Sequence, residues 1–201
     1  MEFLRNIIEF VFHIDRHLNV VIQGFGNWSY LLLFGIIFAE TGLVITPFLP
    51  GDSLLFAVGA FAAIGSFNLS LLFITLAGAA IIGDSVNYAL GKFFGEKILL
   101  RGGHHFFKKE HIERTHKFYE KYGGKTIILA RFIPIIRTFA PFVAGIGKMS
   151  YPKFFFYNVS GGLLWVAVFV LGGYFFGNTP VIKENFMIAI FGMMLFSALP
   201  I

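Results

Sequence analysis

Four charged side chains lie inside apolar stretches of the sequence, two acids in the first half and two bases in the second: Glu40, Asp52, Arg131 and Arg137. Helix breakers lie between the members of each pair, namely Pro47, Pro50 and Gly51 between the acids and Pro134 between the arginines. A charge at membrane depth costs roughly 2.5–3.5 kcal/mol on insertion scales, so it requires a partner, a water-filled cavity or a function. The pattern predicts a single polar site in the middle of a membrane protein, where we expect the function to lie.

The composition supports a membrane protein. The chain is 57% hydrophobic and only 13% charged, with 28 Phe and 23 Gly, which is not the balance of a soluble domain. Residues 69–91 and 154–176 carry few charges, and at about 1.5 Å per residue each is long enough to cross a core of about 30 Å. Residues 181–201 are a third candidate span. The absence of cysteine excludes disulfides and thiolate metal sites.

The positive charge is concentrated in one loop. Residues 92–125 hold nine basic and four acidic side chains, a surplus equal to the formal net charge of +5 of the whole chain. Because this loop is short, the positive-inside rule places it in the cytoplasm. A solvated, topology-setting loop that touches anionic headgroups is favoured over nucleic-acid binding.

Three apolar segments, residues 53–65, 126–133 and 137–147, are too short to cross a bilayer as helices. Proline separates them from their neighbours, which is typical of re-entrant hairpins that dip into the membrane and return. Non-helical backbone at that depth is tolerated only where protein buries it or where it lines a cavity. The amphipathic residues 3–22 are predicted to lie at the membrane interface.

The two halves of the sequence repeat. Phe-Leu-Pro at 48–50 matches Phe-Ile-Pro at 132–134, and Gly-x-Phe-Phe-Gly occurs at 91–95 and again at 173–177. With one gap of two residues, Gly65 then aligns with Gly147. Since one full crossing separates the two hairpin tips, the hairpins must enter from opposite faces, the second from the cytoplasm and the first from outside. This predicts an all-α polytopic membrane protein built as an inverted repeat, an architecture of many secondary transporters.

The whole chain is predicted to form a single membrane domain. Residues 1–27 are the amphipathic N-terminal segment, 28–95 the first repeat, 96–124 the cytoplasmic basic loop, 125–177 the second repeat and 181–201 a C-terminal transmembrane helix. Each repeat consists of a re-entrant helical hairpin followed by a transmembrane helix.

Several motifs together carry a resemblance to a known family: Glu40-Thr41-Gly42, Pro47-Phe48-Leu49-Pro50-Gly51-Asp52-Ser53-Leu54, Gly83-Asp84 with Asn87-Tyr88 and Gly91, Arg131-Phe132-Ile133-Pro134 with Arg137-Thr138, and Ala144-Gly145. With them the chain resembles the bacterial DedA family, of the VTT or SNARE-associated domain type, over essentially its whole length. That family is similar to eukaryotic lipid scramblases of the endoplasmic reticulum. The resemblance implies a multi-pass protein of the bacterial inner membrane with two facing re-entrant loops.

The resemblance also implies a function. Bacterial members are implicated in returning undecaprenyl phosphate, the lipid carrier of cell-wall synthesis, across the membrane, and others are tied to phosphatidylethanolamine movement and proton-dependent phenotypes. The functionally critical charges of the family fall on Glu40, Asp52, Arg131 and Arg137. The implied partners are membrane phospholipids, polyprenyl phosphate and protons. Members usually continue past Ile201 into a basic tail, so a truncated tail is expected.

The residue types fit a lipid phosphate. A planar guanidinium binds phosphate oxygens bidentately, so Arg131 and Arg137 are the predicted ligands. Without lipid, Glu40 and Asp52 can neutralise the arginines, and an arriving phosphate would repel the acids and favour their protonation. Our hypothesis is that protons and phosphate compete for the arginines, which couples headgroup movement to the proton gradient.

The four charges also have structural alternatives, and that of Arg137 is the weakest because this residue lies beyond Pro134. Asp52 follows Pro50-Gly51 and could cap a helix, Arg131 could snorkel to the headgroups, and Glu40 could pair with an arginine for stability alone. Supporting or hinge roles are expected for a further set: Asp84, Asn87, Pro50, Gly51, Pro134 and Thr138. For Asp84 and Asn87, one helical turn apart, hydrogen bonding between helices is favoured over substrate contact.

The sequence supports other classes of function less well. No histidine lies in a predicted span, and Ser160-Gly161 lacks the preceding glycine of a nucleophile motif, so an enzyme is not expected. No cofactor is expected, and a metal site at the histidines of the basic loop is disfavoured. A proton-dependent small-ion antiporter that uses the same four charges is the main alternative. A phosphatidylethanolamine scramblase and a purely structural role are the others.

Overall fold

The computed structural model describes residues 26–43, 51–100 and 124–180. These residues form six α-helices and no strand: α1 (Trp28–Gly42), α2 (Gly51–Ala63), α3 (Leu69–Leu100), α4 (Lys125–Ala130), α5 (Pro134–Ile146) and α6 (Tyr151–Phe176). The prediction of a helical protein is confirmed for this part of the chain. The predictions for the N-terminal segment, most of the basic loop, the C-terminal span, Pro47 and Pro50 lie outside the described residues.

Two helices are long and apolar enough to cross a membrane, Leu69–Phe94 and Tyr151–Phe176, each of 26 residues. α3 continues to Leu100, past the predicted end of its span at Gly91, because the residues that follow are mostly good helix formers and include no proline. The helices Gly51–Ala63 and Ile136–Ile146 are shorter and apolar, as expected, and the helix Trp28–Gly42 is shorter and apolar as well.

The predicted break before Pro134 is present. α4 ends at Ala130, and α5 begins at Pro134 after Ile133, whose backbone is extended at φ −112°. Proline is favoured at the first position of a helix, where its missing N–H would have no partner. The break places Arg131 in the turn between the two helices, where its side chain can leave the helical surface.

The second short helix of each half packs mainly on the long helix of the other half of the sequence. α2 packs most extensively on α6, and α5 packs most extensively on α3. By contrast, α1 packs on α3 and α4 on α6, within their own halves. The two halves are therefore interleaved through their second short helices.

Glycine makes these crossings close. Between α2 and α6, a Cβ on Gly59 would run into the carbonyl of Val170, and one on Gly173 into the carbonyl of Phe56. Small residues at such positions allow backbones to approach closely in membrane proteins.

The crossing of α5 and α3 has the same construction. Gly145 faces the carbonyl of Tyr88, and Gly91 faces the carbonyl of Phe142. Gly91 and Gly173 are the aligned glycines of the sequence repeat, and in the structure both pack within the molecule.

The ends of α2 and α5 also correspond, but one residue away from the predicted alignment. After α2, Gly65 has φ +84° and the Ser66 N–H donates to the carbonyl of Phe61 at 3.0 Å. After α5, Lys148 has φ +56° and the Met149 N–H donates to the carbonyl of Ala144 at 3.1 Å. Both ends have the hydrogen-bond pattern of a Schellman motif. Gly65 is thus equivalent to Lys148, and its alignment with Gly147 is wrong by one residue.

Candidate functional site

Arg137 lies between the two acids of the first half. From α5, its Nη1 donates to Asp52 Oδ1 at 2.5 Å and its Nη2 donates to Glu40 Oε1. Glu40 is completely buried, and Asp52 and Arg137 are each 7% exposed. One guanidinium therefore joins the end of α1 to the start of α2. The structure brings together three of the four charges singled out in the sequence.

The backbone at the start of α2 completes this contact. The Gly51 N–H donates to Glu40 Oε1 at 3.2 Å. A Cβ at Gly51 would collide with the Glu40 carboxylate, so the close approach depends on glycine. The Asp52 carboxylate lies in the first turn of α2, where the helix dipole favours negative charge, but it also accepts hydrogen bonds from distant residues. Its role is therefore not confined to a local cap.

Arg131 has different partners from those expected. Its Nη2 donates to Asp84 Oδ2 on α3 and to Asn158 Oδ1 on α6, the latter at 2.5 Å. The side chain is 3% exposed and points into the protein, so the snorkelling alternative is wrong. The turn at the helix break directs Arg131 towards α3 and α6, and the counterion of Arg131 is Asp84 instead of Glu40 or Asp52.

Asn87 links α1 to α5. Its Nδ2 donates to the carbonyl of Thr41 at 3.0 Å and to the carbonyl of Thr138 at 2.8 Å, and the side chain is completely buried. The carbonyl of Thr41 belongs to the last turn of α1, whose carbonyls lack intrahelical partners. Asn87 thus makes the predicted hydrogen bonds between helices. It holds Thr138, next to Arg137, against α3.

Two residues of α6, Asn158 and Trp165, belong to the site and were not predicted from the sequence. Trp165 is completely buried, and its Nε1–H donates to Asp52 Oδ1 at 2.9 Å. The Cζ atoms of Arg137 and Arg131 lie 5.1 Å and 6.0 Å from the centroid of its ring. The two residues are seven positions apart, on one face of a spanning helix. A tryptophan near the middle of such a helix, away from the usual interfacial belt, was the available signal.

The two arginines meet at one cavity. It is lined by Thr41, Asp84, Arg131, Arg137 and Trp165, with room for about one water-sized molecule. Within the described part of the chain, the buried Nε and Nη1 of Arg131 and Nε of Arg137 have no hydrogen-bond acceptor. The arrangement therefore offers buried cationic donors, and three carboxylates surround the two guanidinium groups.

The chain matches known proteins over most of its length. A family model described as the VTT domain matches residues 49–175, which include most of the helices and three of the four charges singled out above. The chain belongs to the DedA family.

Relatives within the DedA family cover most of this chain. Protein DedA of Escherichia coli K12 is 50% identical over 202 residues, covering 100% of this chain and 92% of that protein. An uncharacterized membrane protein of Mycobacterium leprae is 41% identical over 165 residues, 82% of this chain and 74% of that protein. Inner membrane protein YqjA of E. coli K12 is 36% identical over 152 residues, 76% of this chain and 69% of that protein. No solved structure matches the chain.

These relatives confirm the resemblance found in the sequence. Several are named as membrane proteins, and the chain has two helices long enough to span a bilayer. This DedA-family chain is therefore a membrane protein. Among its described residues, no group of three or more His, Asp or Glu side chains is arranged to hold a metal ion.

Proposed function

We propose that this DedA-family protein is a lipid-phosphate translocase of the bacterial inner membrane that returns undecaprenyl phosphate across the bilayer, coupled to protons. One observation carries the proposal. Arg131 and Arg137 are both buried, both line one cavity, and together keep three N–H donors without an acceptor among the described residues. Buried guanidinium groups that line one cavity suit a phosphate, whose oxygens accept charge-assisted hydrogen bonds from them.

The size of the cavity implies an exchange of partners. A phosphate group does not fit beside the arginines while they hold their acids, since the space admits about one water. Arg137 must therefore leave Glu40 and Asp52 as the phosphate enters. Two carboxylates left together in a buried site repel each other, which favours uptake of a proton. Proton binding and phosphate binding are linked in this way.

We also propose that two helix pairs, α1 with α2 and α4 with α5, are re-entrant hairpins that enter from opposite faces of a multi-pass protein. The shortness of α2 and α5 supports this arrangement, as do their equivalent glycine crossings and equivalent ends. Binding at facing helix breaks near the midplane is typical of transporters built as inverted repeats. In this arrangement, both arginines lie at membrane depth and the acyl chain stays in lipid.

A proton-dependent small-ion antiporter is the second candidate. It is favoured by the small volume of the cavity, which suits an ion better than a headgroup without rearrangement. A phosphatidylethanolamine scramblase would use the same arginines on a different phosphate. We propose no enzymatic activity, because the predicted spans lack a histidine to serve as a base. No cofactor or nucleic acid is part of the proposed mechanism.

The proposal is tested by headgroup accessibility in liposomes. Purified protein is reconstituted with undecaprenyl phosphate or with phosphatidylethanolamine, and the outer-leaflet fraction of each headgroup is followed over time, with and without a pH gradient. The translocase proposal predicts faster exchange of undecaprenyl phosphate than in protein-free liposomes. Ion flux without exchange of either lipid would favour the antiporter.

A further inference from the structure

Trp165 connects the two arginine sites, and the proposed function gives it no role. Its ring lies beside both guanidinium groups, at 5.1 Å from Arg137 Cζ and 6.0 Å from Arg131 Cζ. Its N–H donates to Asp52 Oδ1 at 2.9 Å. The side chain is completely buried and lines the cavity.

Trp165 shares a hydrogen-bond acceptor with Arg137. Asp52 Oδ1 accepts from both Arg137 Nη1 and Trp165 Nε1. If Arg137 turns towards a phosphate, Asp52 loses a charged donor but keeps the indole N–H. A buried carboxylate without any donor carries a large desolvation cost, so the remaining hydrogen bond lowers the cost of releasing Arg137. The ring face meanwhile remains available to the guanidinium during its movement.

We infer that Trp165 is the positioning residue that holds Asp52 while Arg137 exchanges its acids for a phosphate. This inference rests on the proposed function, since it assumes that a phosphate group enters the cavity. It assigns the N–H and the ring of Trp165 separate effects. The N–H acts only through Asp52, whereas the ring contacts both arginines.

The test is a double-mutant cycle on binding. Dihexanoyl phosphatidic acid is titrated calorimetrically into the full chain in detergent, with inorganic phosphate and dihexanoyl phosphatidylcholine in parallel. Trp165→Phe keeps an aromatic ring and removes the N–H, and we expect it to weaken phosphatidic acid binding about tenfold. In an Asp52→Asn background the same substitution should weaken binding less than about twofold, because the neutral side chain no longer needs the donor.

A fluorescence measurement covers the case in which Trp165→Phe does not fold. The chain contains two tryptophans, and Trp28 is 70% exposed at the start of α1. Trp28→Phe leaves Trp165 as the single emitter, and its emission should change when phosphatidic acid binds and Arg137 moves relative to the ring. Phosphatidylcholine should leave the emission unchanged. A response to inorganic phosphate as well would identify free phosphate as a sufficient ligand.

The outcomes separate this inference from the proposed function. If the unsubstituted chain binds neither phosphatidic acid nor inorganic phosphate, the phosphate site itself fails, and this inference with it. If the chain binds phosphatidic acid but Trp165→Phe binds equally well, or loses the same factor with and without the Asp52→Asn substitution, the positioning role alone is wrong. Binding without any change in Trp165 emission would likewise overturn it.

Discussion

Arg137 donates to acids on two different helices, whereas Arg131 donates to Asp84 and to the neutral side chain of Asn158. Arg137 uses both ends of its guanidinium fork, Nη1 and Nη2, to hold two acceptors, whereas Arg131 holds both of its acceptors through Nη2. A single ammonium cannot reproduce the arrangement at Arg137, because its donors radiate from one atom. At the scale of single residues, the shape of the Arg137 cation therefore matters as much as its charge.

Arg131→Lys and Arg137→Lys should each lower translocation of undecaprenyl phosphate by at least about tenfold, although both keep the positive charge. The measurement is headgroup accessibility in liposomes at matched protein content. Lys92→Arg, a conservative change on the exposed face of α3, is the matched control and should behave as the unsubstituted chain. Normal activity in both lysine variants would mean that the arginines serve insertion or topology only.

Glu40→Gln should insert and fold at least as well as the unsubstituted chain, because it removes a buried charge and Arg137 keeps its contact with Asp52. It should lose the dependence of translocation on the pH gradient while still binding the phosphate headgroup. The measurement is the rate of lipid translocation with and without an imposed gradient. An unchanged response to the gradient would remove Glu40 from the proton-coupling mechanism.

Gly51→Ala should impair transport with little loss of folded protein. The added Cβ would displace the Glu40 carboxylate, which holds Arg137. Gly78→Ala is the matched control, since a Cβ there meets nothing within 4 Å and alanine favours a helix. The measurement is the rate of lipid translocation by the two variants at equal protein content. Equal activity would show that the site tolerates a shift of Glu40.

At the scale of helices, the close crossings of α2 with α6 and of α3 with α5 determine which parts of the molecule are rigid. Backbone carbonyls lie directly over glycines in both crossings, so neither pair of helices can slide without a clash. The charge contacts that join these two pairs are of another kind. Arg137 on α5 meets Asp52 on α2, and Arg131, in the turn before α5, donates to Asn158 on α6. Movement between the pairs would therefore break these polar contacts and leave the crossings intact.

Gly59→Ala and Gly173→Ala should each destabilise the protein by roughly 1–3 kcal/mol, since the added methyl group would press on a backbone carbonyl that cannot turn away. Thermal unfolding in detergent should show a lower midpoint for both. Gly35→Ala, where nothing lies within 4 Å of the added Cβ, should leave the midpoint unchanged or raise it. A lower midpoint in all three variants would contradict the packing explanation, because the added Cβ at Gly35 has no neighbour to press on.

The sequence was sufficient to predict the helical class, the break before Pro134 and the importance of the four charges in apolar stretches, because each of these depends on local composition. It was not sufficient to assign partners. Arg131 pairs with Asp84 instead of the first-half acids because the turn after α4 aims it at α3, and this direction is a property of packing. From the sequence alone, Trp165 was not distinguished from the other apolar residues of a spanning helix. Its place beside Asp52 depends on α2 crossing over to α6.

At the scale of the whole molecule, the inverted repeat makes a prediction about sides of the membrane. The chain contains no cysteine, so single cysteines can be introduced without background labelling. A cysteine at His105 or Lys109 in the basic loop should react with an impermeant reagent from the cytoplasmic side only. A cysteine at Ser66, after α2, should react from outside only. Reaction of both positions from the same side would contradict the inverted arrangement.

The interleaving of the two halves has a consequence for biogenesis. α2 leaves the ribosome before any residue of α6, the helix on which it packs, and chains grow at about 5–20 residues per second. For several seconds, therefore, the glycine face of α2 and the Asp52 carboxylate have neither Arg137 nor Trp165 to contact. During this time, the insertion machinery or the surrounding lipid must cover α2 in the partly synthesised chain. A translational pause between the halves would prolong the exposure of an acid whose base has not yet been made.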